Sequence, residues 1–231
     1  MVKRFISIIS KLDNGVIFRK KQFKFQFQFP FFLAFVLALA FIILSWLVFN
    51  NFLVDFDANV EASISTWSFK GLHTYFDFVT DSKTIVATTL IAVIILYLKK
   101  QARLAVFLIL ATAGGWAMSL GFKFLFQRVR PGVEPDDNIF SYPSGHATIS
   151  ICLYGALIFI ANKFIPDPRV KLLLNTGLAL FILSIGLSRV YFGFHYPTDV
   201  VAGWFMGGSY LLFLIAGYNL IIASLDYYEK P

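Results

Sequence analysis

Charged residues are scarce in this sequence, at 14% of its 231 residues. A soluble domain carries about 25% charged residues, whereas 58% of this chain is hydrophobic and its mean hydropathy is +0.73. The scarcity of charge excludes an ordinary soluble domain and predicts a single polytopic membrane domain. Cysteine is almost absent as well, because Cys152 is the only one, and an internal disulfide is therefore excluded.

Long apolar runs dominate the rest of the chain and predict an all-α membrane protein. A spanning helix needs about 20 predominantly apolar residues. Six runs predict six transmembrane helices: 31–54, a run over 84–98 that begins somewhat earlier, 104–127, 146–162, 172–189 and 197–223. Between the first two, apolar residues at roughly helical spacing from Ile64 to Val79 predict a short interfacial helix.

The distribution of charge predicts which side of the membrane each loop occupies. Six spans place both termini on one side, and that side carries most of the 20 Lys and Arg residues. By the positive-inside rule, the termini are expected in the cytoplasm of a plasma (inner) membrane. The net charge of +7 is therefore explained by topology, and a nucleic-acid partner is not needed to account for it.

The two ends of the chain are polar and lie outside the six-span region, 30–223. Residues 1–29 are basic, and phenylalanines alternate there with Lys and Gln. Alternation is formally a strand pattern, but directly before a span we interpret it as an interfacial segment on anionic lipid. Residues 224–231 are predicted to be a short cytoplasmic tail.

Three ionisable residues stand between the last two apolar runs, on the side expected to face away from the cytoplasm. His195 is a candidate nucleophile, and Asp199 could hold its other ring nitrogen in the required tautomer. Arg189 carries a planar fork suited to a phosphate. Such residues beside lipid indicate a functional site; the alternative is a loop whose charges merely face water.

Two further segments are predicted on the same side. Lys123 and Arg130 are seven residues apart, which corresponds to two helical turns and one helical face. Arg128 falls on another face by the same spacing, and we interpret it as a cation that reaches toward lipid headgroups. Pro131 predicts the end of the helix near Arg130.

The segment before the fourth span contains Ser144, Gly145 and His146. A helix start of this kind exposes backbone amides, which together with the helix dipole favour an anion. His146 in the first turn could donate a proton to a leaving oxygen. The alternative is a helix-capping serine with an incidental histidine.

Together, the three segments resemble the three-part signature of the type 2 phosphatidic acid phosphatase superfamily, in its integral membrane branch. They are Lys123-x6-Arg130-Pro131, Pro143-Ser144-Gly145-His146 and Ser188-Arg189-x5-His195-x3-Asp199. The resemblance implies a phosphohistidine on His195, oriented by Asp199, with His146 as proton donor. It also implies that the phosphoryl oxygens are bound by Lys123, Arg130, Ser144, Gly145 and Arg189.

The resemblance implies an enzyme that hydrolyses a membrane lipid phosphate. Candidate substrates are undecaprenyl pyrophosphate, phosphatidylglycerol phosphate and phosphatidic acid, and no cofactor or metal ion is expected, because the motifs lack carboxylates spaced as metal ligands. A phosphotransferase that passes phosphate to another lipid, such as lipid A, has the same expected site. A non-catalytic six-span transporter or structural protein is the alternative of another class.

Overall fold

The computed structural model describes residues 28–65, 72–132 and 140–228. These residues are almost entirely helical, and within them the one strand-like contact is an isolated antiparallel bridge between Val129 and Phe140. The predicted all-α fold is therefore confirmed. The helices are α1 (Gln28–Phe49), α2 (Val54–Ser65), α3 (His73–Thr80), α4 (Ser82–Leu98), α5 (Ala102–Phe126), α6 (Gly145–Phe164), α7 (Pro168–Tyr191) and α8 (Pro197–Tyr228).

Five helices of the described part are long and apolar enough to span a membrane: α1, α5, α6, α7 and α8. A sixth candidate span is the pair formed by α3 and α4, which is bent by 49°. Asp81 stands at this bend and caps α4, since its side chain accepts a hydrogen bond from the amide of Lys83 at 2.8 Å. The predicted count of six spans is reached when the bent pair counts as one.

The first span is shorter than predicted, because α1 ends at Phe49 and Val54 already begins α2. Two asparagines end the helix. The Asn50 side chain donates to the carbonyl of Trp46 at 2.7 Å, and Asn51 has a positive φ of 60°. Asparagine is among the residues that tolerate the left-handed conformation typical of a helix C-terminus.

Two described helices overlap the interfacial helix predicted from Ile64 to Val79. The first, α2, ends at Ser65, and α3 begins at His73. Residues 66–71 of the predicted helix, like residues 1–27 of the predicted basic segment, lie outside the described residues. The apolar spacing thus indicated helix correctly for the described residues at both ends of the predicted segment.

The third span ends earlier than the spacing argument required. α5 ends at Phe126, and Gln127 adopts the left-handed conformation with φ 51°. Arg128 and Arg130 therefore follow the helix and do not belong to its faces. The prediction that Lys123 and Arg130 share a helical face was wrong, because Arg130 is not part of the helix. The placement of Arg128 on another face of the same helix was wrong for the same reason.

The centre of the bundle is α6, which packs against α5, α7 and α8. Two glycines of α8 allow its closest approach. A Cβ on Gly203 would stand 2.6 Å from the carbonyl oxygen of Ser144, and one on Gly207 would stand 2.8 Å from that of Thr148. Small residues of this kind let membrane helices approach closely, and here they hold the starts of α6 and α8 side by side.

Candidate active site

Four antiparallel helices bring the predicted residues to one end of the bundle. α5 and α7 end there, while α6 and α8 begin there, so motifs distant in the sequence become neighbours. A backbone hydrogen bond from the amide of Ser144 to the carbonyl of Asp199, 2.9 Å long, joins the starts of α6 and α8 directly. The residues brought together at this end are Lys123, Arg130, Ser144, Gly145, His146, Arg189, His195 and Asp199.

The two histidines face one another across this end. His195 lies in the short loop before α8 and is 1% exposed, and its amide donates to the carbonyl of Arg189 at 3.2 Å. The centroids of the His146 and His195 rings are 6.5 Å apart. Behind His195, its Nδ1 lies 3.5 Å from Oδ2 of Asp199. This separation exceeds the roughly 3.2 Å of an ordinary hydrogen bond, so the contact is electrostatic in this structure.

Burial is the main influence on the charge of His195. It lowers the pKa of the imidazole to about 4, although the carboxylate of Asp199 acts in the opposite direction. The positive charges of Lys123 and Arg130 contribute to this lowering of the pKa. At neutral pH the imidazole is therefore uncharged, which leaves a nitrogen lone pair available for attack.

We call Lys123, Arg130 and Arg189 the cation cluster. Lys123 donates through Nζ to the carbonyl of Phe140 at 2.6 Å, and its side chain passes the start of α6, where a Cβ on Gly145 would be 3.9 Å from Cε. Arg189 is 3% exposed, and its guanidinium carbon lies 5.3 Å from the centroid of the Phe194 ring.

Arg130 is the least satisfied member of the cluster. It is half-buried, it forms no ion pair with any described residue, and its Nε has no hydrogen-bond partner among them. Burial lowers the pKa of its guanidinium, partly offset by Asp199, but an arginine remains charged at neutral pH. A partly buried cation that has no carboxylate among the described residues is costly, and an anionic ligand would relieve that cost.

The start of α6 supplies further donors beside these cations. Ser144 is fully buried and caps the helix, because its Oγ accepts from the amide of Ala147 at 3.5 Å. Gly145 is the first residue of α6, so its amide belongs to the turn whose N–H groups lack partners within the helix. The capping role and a role in anion binding are compatible, since the serine hydroxyl can still donate.

Arg128 does not reach toward lipid headgroups, and that prediction was wrong. Its Nη2 lies 2.8 Å from Oδ2 of Asp57, and its Nη1 lies 2.7 Å from Oδ1 of Asp199. Its guanidinium carbon also stands 4.0 Å above the ring of Tyr196. Burial alone would lower the pKa of Arg128, but the two carboxylates raise it. The arginine is a fixed, charged part of the site.

Sequence reasoning missed Asp57 and Thr198 altogether. Asp57 lies in the first turn of α2 and is 2% exposed. It accepts from the amide of Thr198 at 3.0 Å through Oδ1 and from the Thr198 hydroxyl at 2.7 Å through Oδ2. Thr198 also accepts a hydrogen bond from Arg128, 2.8 Å long. We call Asp57, Arg128, Thr198 and Asp199 the paired network.

The loop after α5 is held in place by the segment before α6. Ser141 donates from its amide to the carbonyl of Arg128 at 2.7 Å, and its hydroxyl lies 3.1 Å from the same oxygen. The Tyr142 hydroxyl is hydrogen-bonded to Ser45 on α1 at 2.8 Å. The loop that carries Arg128 and Arg130 is thereby joined to the segment before α6, which is itself bonded to α1.

The arrangement combines an anion site with a neutral, buried imidazole. In the described part of the chain, no group of three or more His, Cys, Asp or Glu side chains is placed to hold a metal ion. Cations and helix N-termini are the groups that stabilise the charge of a phosphoryl group in the absence of a metal. The site therefore has the donors needed to bind a phosphate beside the imidazole of His195.

Comparisons with known proteins agree with this chemistry. The PAP2 superfamily model matches residues 102–222. A phosphatidylglycerophosphatase B of Bacillus subtilis is 33% identical over 42% of this chain and 49% of its own length. An undecaprenyl-diphosphatase of Sulfolobus acidocaldarius is 28% identical over 54% of this chain and 59% of its own length. The aligned part thus spans about half the length of these curated relatives.

A solved structure has the same fold. It is the crystal structure of a transmembrane PAP2-type phosphatidylglycerolphosphate phosphatase from Bacillus subtilis, which superimposes with a TM-score of 0.68. The match covers 85% of this chain and 97% of that protein at 22% sequence identity. The paired network extends beyond the family match, because Asp57 precedes residue 102.

Proposed function

Because the chain belongs to the PAP2 superfamily, we propose that it is a lipid phosphatase with a phosphohistidine intermediate on His195. Its substrate is a membrane lipid phosphate or pyrophosphate at the extracytoplasmic leaflet, and the reaction uses no metal ion. The observation that carries this proposal is the pair of imidazoles 6.5 Å apart, with Asp199 behind one of them and the cation cluster nearby. Reacting atoms stand about 3–3.5 Å apart in a productive complex, so the two rings can flank one phosphorus.

In the first step, the lone pair of the His195 nitrogen that faces away from Asp199 attacks phosphorus. The N–P bond forms as the bond from phosphorus to the lipid oxygen, or to the distal phosphate of a pyrophosphate, breaks. The leaving oxygen keeps the electron pair and takes a proton from His146. Lys123, Arg130 and Arg189 stabilise the charge that spreads over the phosphoryl oxygens.

In the second step, water hydrolyses the phosphohistidine. His146, now without its proton, accepts one from the attacking water, and the N–P bond breaks to return a neutral His195 and free phosphate. Asp199 supports both steps, because the imidazole is positively charged while it carries the phosphoryl group. A carboxylate beside the other ring nitrogen stabilises that charge.

The membrane spans favour a lipid substrate. The site lies at the end of helices whose outer surfaces are apolar, so a lipid tail can remain in hydrocarbon while its phosphate reaches His195. The relatives are named for phosphatidylglycerophosphate and undecaprenyl diphosphate. These two lipids, with phosphatidic acid, form the test panel.

The test is phosphate release by the purified protein in detergent, with His195→Ala as the decisive variant. We expect wild-type turnover of at least one lipid of the panel and a loss of several orders of magnitude in His195→Ala, as for nucleophiles whose partners act as a unit. His73→Ala, which removes the chain's remaining histidine, serves as the matched control. Substantial activity in His195→Ala would rule out the covalent mechanism, and an inactive wild type would favour the transporter or structural alternative.

Product analysis separates hydrolysis from phosphotransfer. In the presence of a second lipid such as lipid A, a phosphatase releases inorganic phosphate, whereas a phosphotransferase delivers labelled phosphate to that lipid. We expect free phosphate as the labelled product. A labelled lipid acceptor would instead establish the phosphotransferase.

The extracytoplasmic placement of the site has its own test. Asn50→Cys stands at the same end of the bundle as the site, and Lys99→Cys at the opposite end; both positions are exposed, whereas Cys152 is fully buried. An impermeant thiol reagent added to intact cells should label the first variant and not the second. The reverse pattern would place the site in the cytoplasm.

A further inference from the structure

The start of α8 is capped from two sources, one of which lies on another helix. Tyr196 precedes Pro197 and offers no side-chain acceptor of the usual capping kind. Asp199, three residues later, accepts from the Tyr196 amide at 3.0 Å through Oδ2, which is half of a capping box. The other half comes from α2, because Asp57 accepts from the amide of Thr198 at 3.0 Å.

Arg128 connects the same two carboxylates. Its two terminal nitrogens are divided between them, one on Asp57 and one on Asp199, both at less than 3 Å. Asp57 and Asp199 are 2% and 0% exposed, so water screens neither contact. The position of the Asp199 carboxylate is therefore determined jointly by its own helix and by an arginine that Asp57 holds.

The charge balance gives Asp57 a second role. Arg128 and Asp199 alone would form a neutral pair, in which the guanidinium offsets much of the effect of the carboxylate on His195. With Asp57 included, two carboxylates share one guanidinium, so the three groups carry one net negative charge, and the Asp199 carboxylate of this set lies 3.5 Å from Nδ1 of His195. That charge is required when His195 becomes positive on attacking phosphorus.

We propose that Asp57 is a positioning residue for the reaction. It acts through Arg128, holding the guanidinium so that Asp199 keeps both its place and its charge toward His195. The inference rests on the proposed function, and it assigns a catalytic dependence to α2, which lies outside the part of the chain that the family model matches.

The test separates this role from simple helix capping. Asp57→Asn keeps an oxygen that can accept from the Thr198 amide but removes the charge. We expect kcat to fall by about 10–100-fold, as for partners that orient a reacting group, while KM changes little and the thermal midpoint falls less than in Arg128→Ala, because Asp199 still pairs with the arginine. Asp55→Asn is the matched control, since Asp55 lies in the first turn of the same helix and is exposed; it should behave as wild type.

A double-mutant cycle tests whether Asp57 acts through Arg128. Without the arginine, Asp57 has no charge to offset, so Asp57→Asn combined with Arg128→Gln should have nearly the same kcat as Arg128→Gln alone. Additive losses would mean that Asp57 does not act through Arg128 and would overturn the inference. Wild-type kcat in Asp57→Asn would overturn it as well.

Vanadate binding provides a readout that does not depend on turnover. Vanadate resembles the phosphoryl transition state, and its binding should weaken by about 10-fold in Asp57→Asn, following the loss of kcat, but not in Asp55→Asn. If the wild type hydrolysed no lipid of the panel, the proposed function would fail, while this comparison would still decide the role of Asp57. Equal vanadate affinity in all three proteins would contradict that role.

Discussion

Arg128 of the paired network and Arg130 of the cation cluster are only two residues apart in the sequence, and both are half-buried. Their surroundings are opposite in charge compensation. Arg128 is held by two carboxylates and the face of an aromatic ring. Arg130 forms no ion pair within the described residues, and its Nε lacks a hydrogen-bond partner there. The pKa of Arg128 is raised by its carboxylates, whereas burial lowers that of Arg130.

This difference separates cations that position from cations that bind. A buried cation whose charge is already compensated has little to gain from an anionic ligand, but it fixes the groups that compensate it. A buried cation without a carboxylate destabilises the unliganded protein and is relieved when an anion arrives. Arg128 is therefore a cation that positions other groups of the site, and Arg130 is a cation available to bind the anionic ligand.

The largest effect is expected for Arg128→Ala. It leaves two buried carboxylates uncompensated, and removal of one partner from a buried ion pair destabilises a protein by about 3–5 kcal/mol. Thermal unfolding in detergent measures the loss. Arg169→Ala, at an exposed position near the start of α7, is the matched control. If Arg128→Ala kept wild-type stability, the network would not be a structural element.

Arg130→Ala should have its effect on turnover. Removing one preorganised donor from a transition-state site weakens catalysis by roughly 2–4 kcal/mol, which corresponds to a loss of about two to three orders of magnitude in kcat/KM. Lipid phosphate hydrolysis measures it, against the same Arg169→Ala control. An Arg130→Ala protein with near-normal kcat/KM would remove this arginine from the phosphate site.

The paired network and the cation cluster should also have opposite effects on the pKa of His195, and therefore on the pH dependence of kcat/KM. Burial lowers the pKa of His195 to about 4, Asp199 raises it, and Lys123 and Arg130 lower it. In the proposed mechanism the neutral imidazole is the nucleophile, so the acid limb of the kcat/KM profile should lie near this value. In Lys123→Gln the acid limb should move to higher pH, and comparison on one substrate cancels the ionisation of the substrate itself. An unmoved limb, or one that moved to lower pH, would contradict this electrostatic account.

The smallest expected effect is that of chelation, which should leave turnover unchanged. Cations and helix N-termini supply the charge stabilisation in the proposed mechanism, so excess EDTA should have no effect and vanadate should still inhibit. Activity assays with and without EDTA make the measurement. Loss of activity that Mg²⁺ restored would show that a metal ion takes part.

The fold could be largely predicted because membrane spans leave a strong local signal. Apolar runs of about 20 residues and the residues that cap them are read over a few helical turns. The errors came where one residue ends a helix. Asn51 and Gln127 both adopt positive φ, and no periodicity indicates which residue of an apolar run will do so.

The residues predicted for the site were brought together, but the treatment of Arg128 was wrong for a definite reason. The predicted faces required α5 to continue as far as Arg130, whereas the left-handed Gln127 ends the helix. Asp57 could not have been found in this way, since its partner Arg128 is 71 residues away and a single acid on a short helix has no local signature. Long-range pairing of charges is a property of the folded protein.

The contrast between Arg128 as a positioning cation and Arg130 as a binding cation is tested most directly by thermal unfolding. The variants to compare are Arg128→Ala and Arg130→Ala, each with and without vanadate. Without vanadate, Arg128→Ala should unfold roughly 10 °C below wild type, whereas Arg130→Ala should equal or exceed it. Vanadate should stabilise wild type and the Arg169→Ala control, and this stabilisation should be lost in Arg130→Ala. Equal loss of stability in both variants, with the vanadate shift retained in both, would contradict the division between positioning and binding cations.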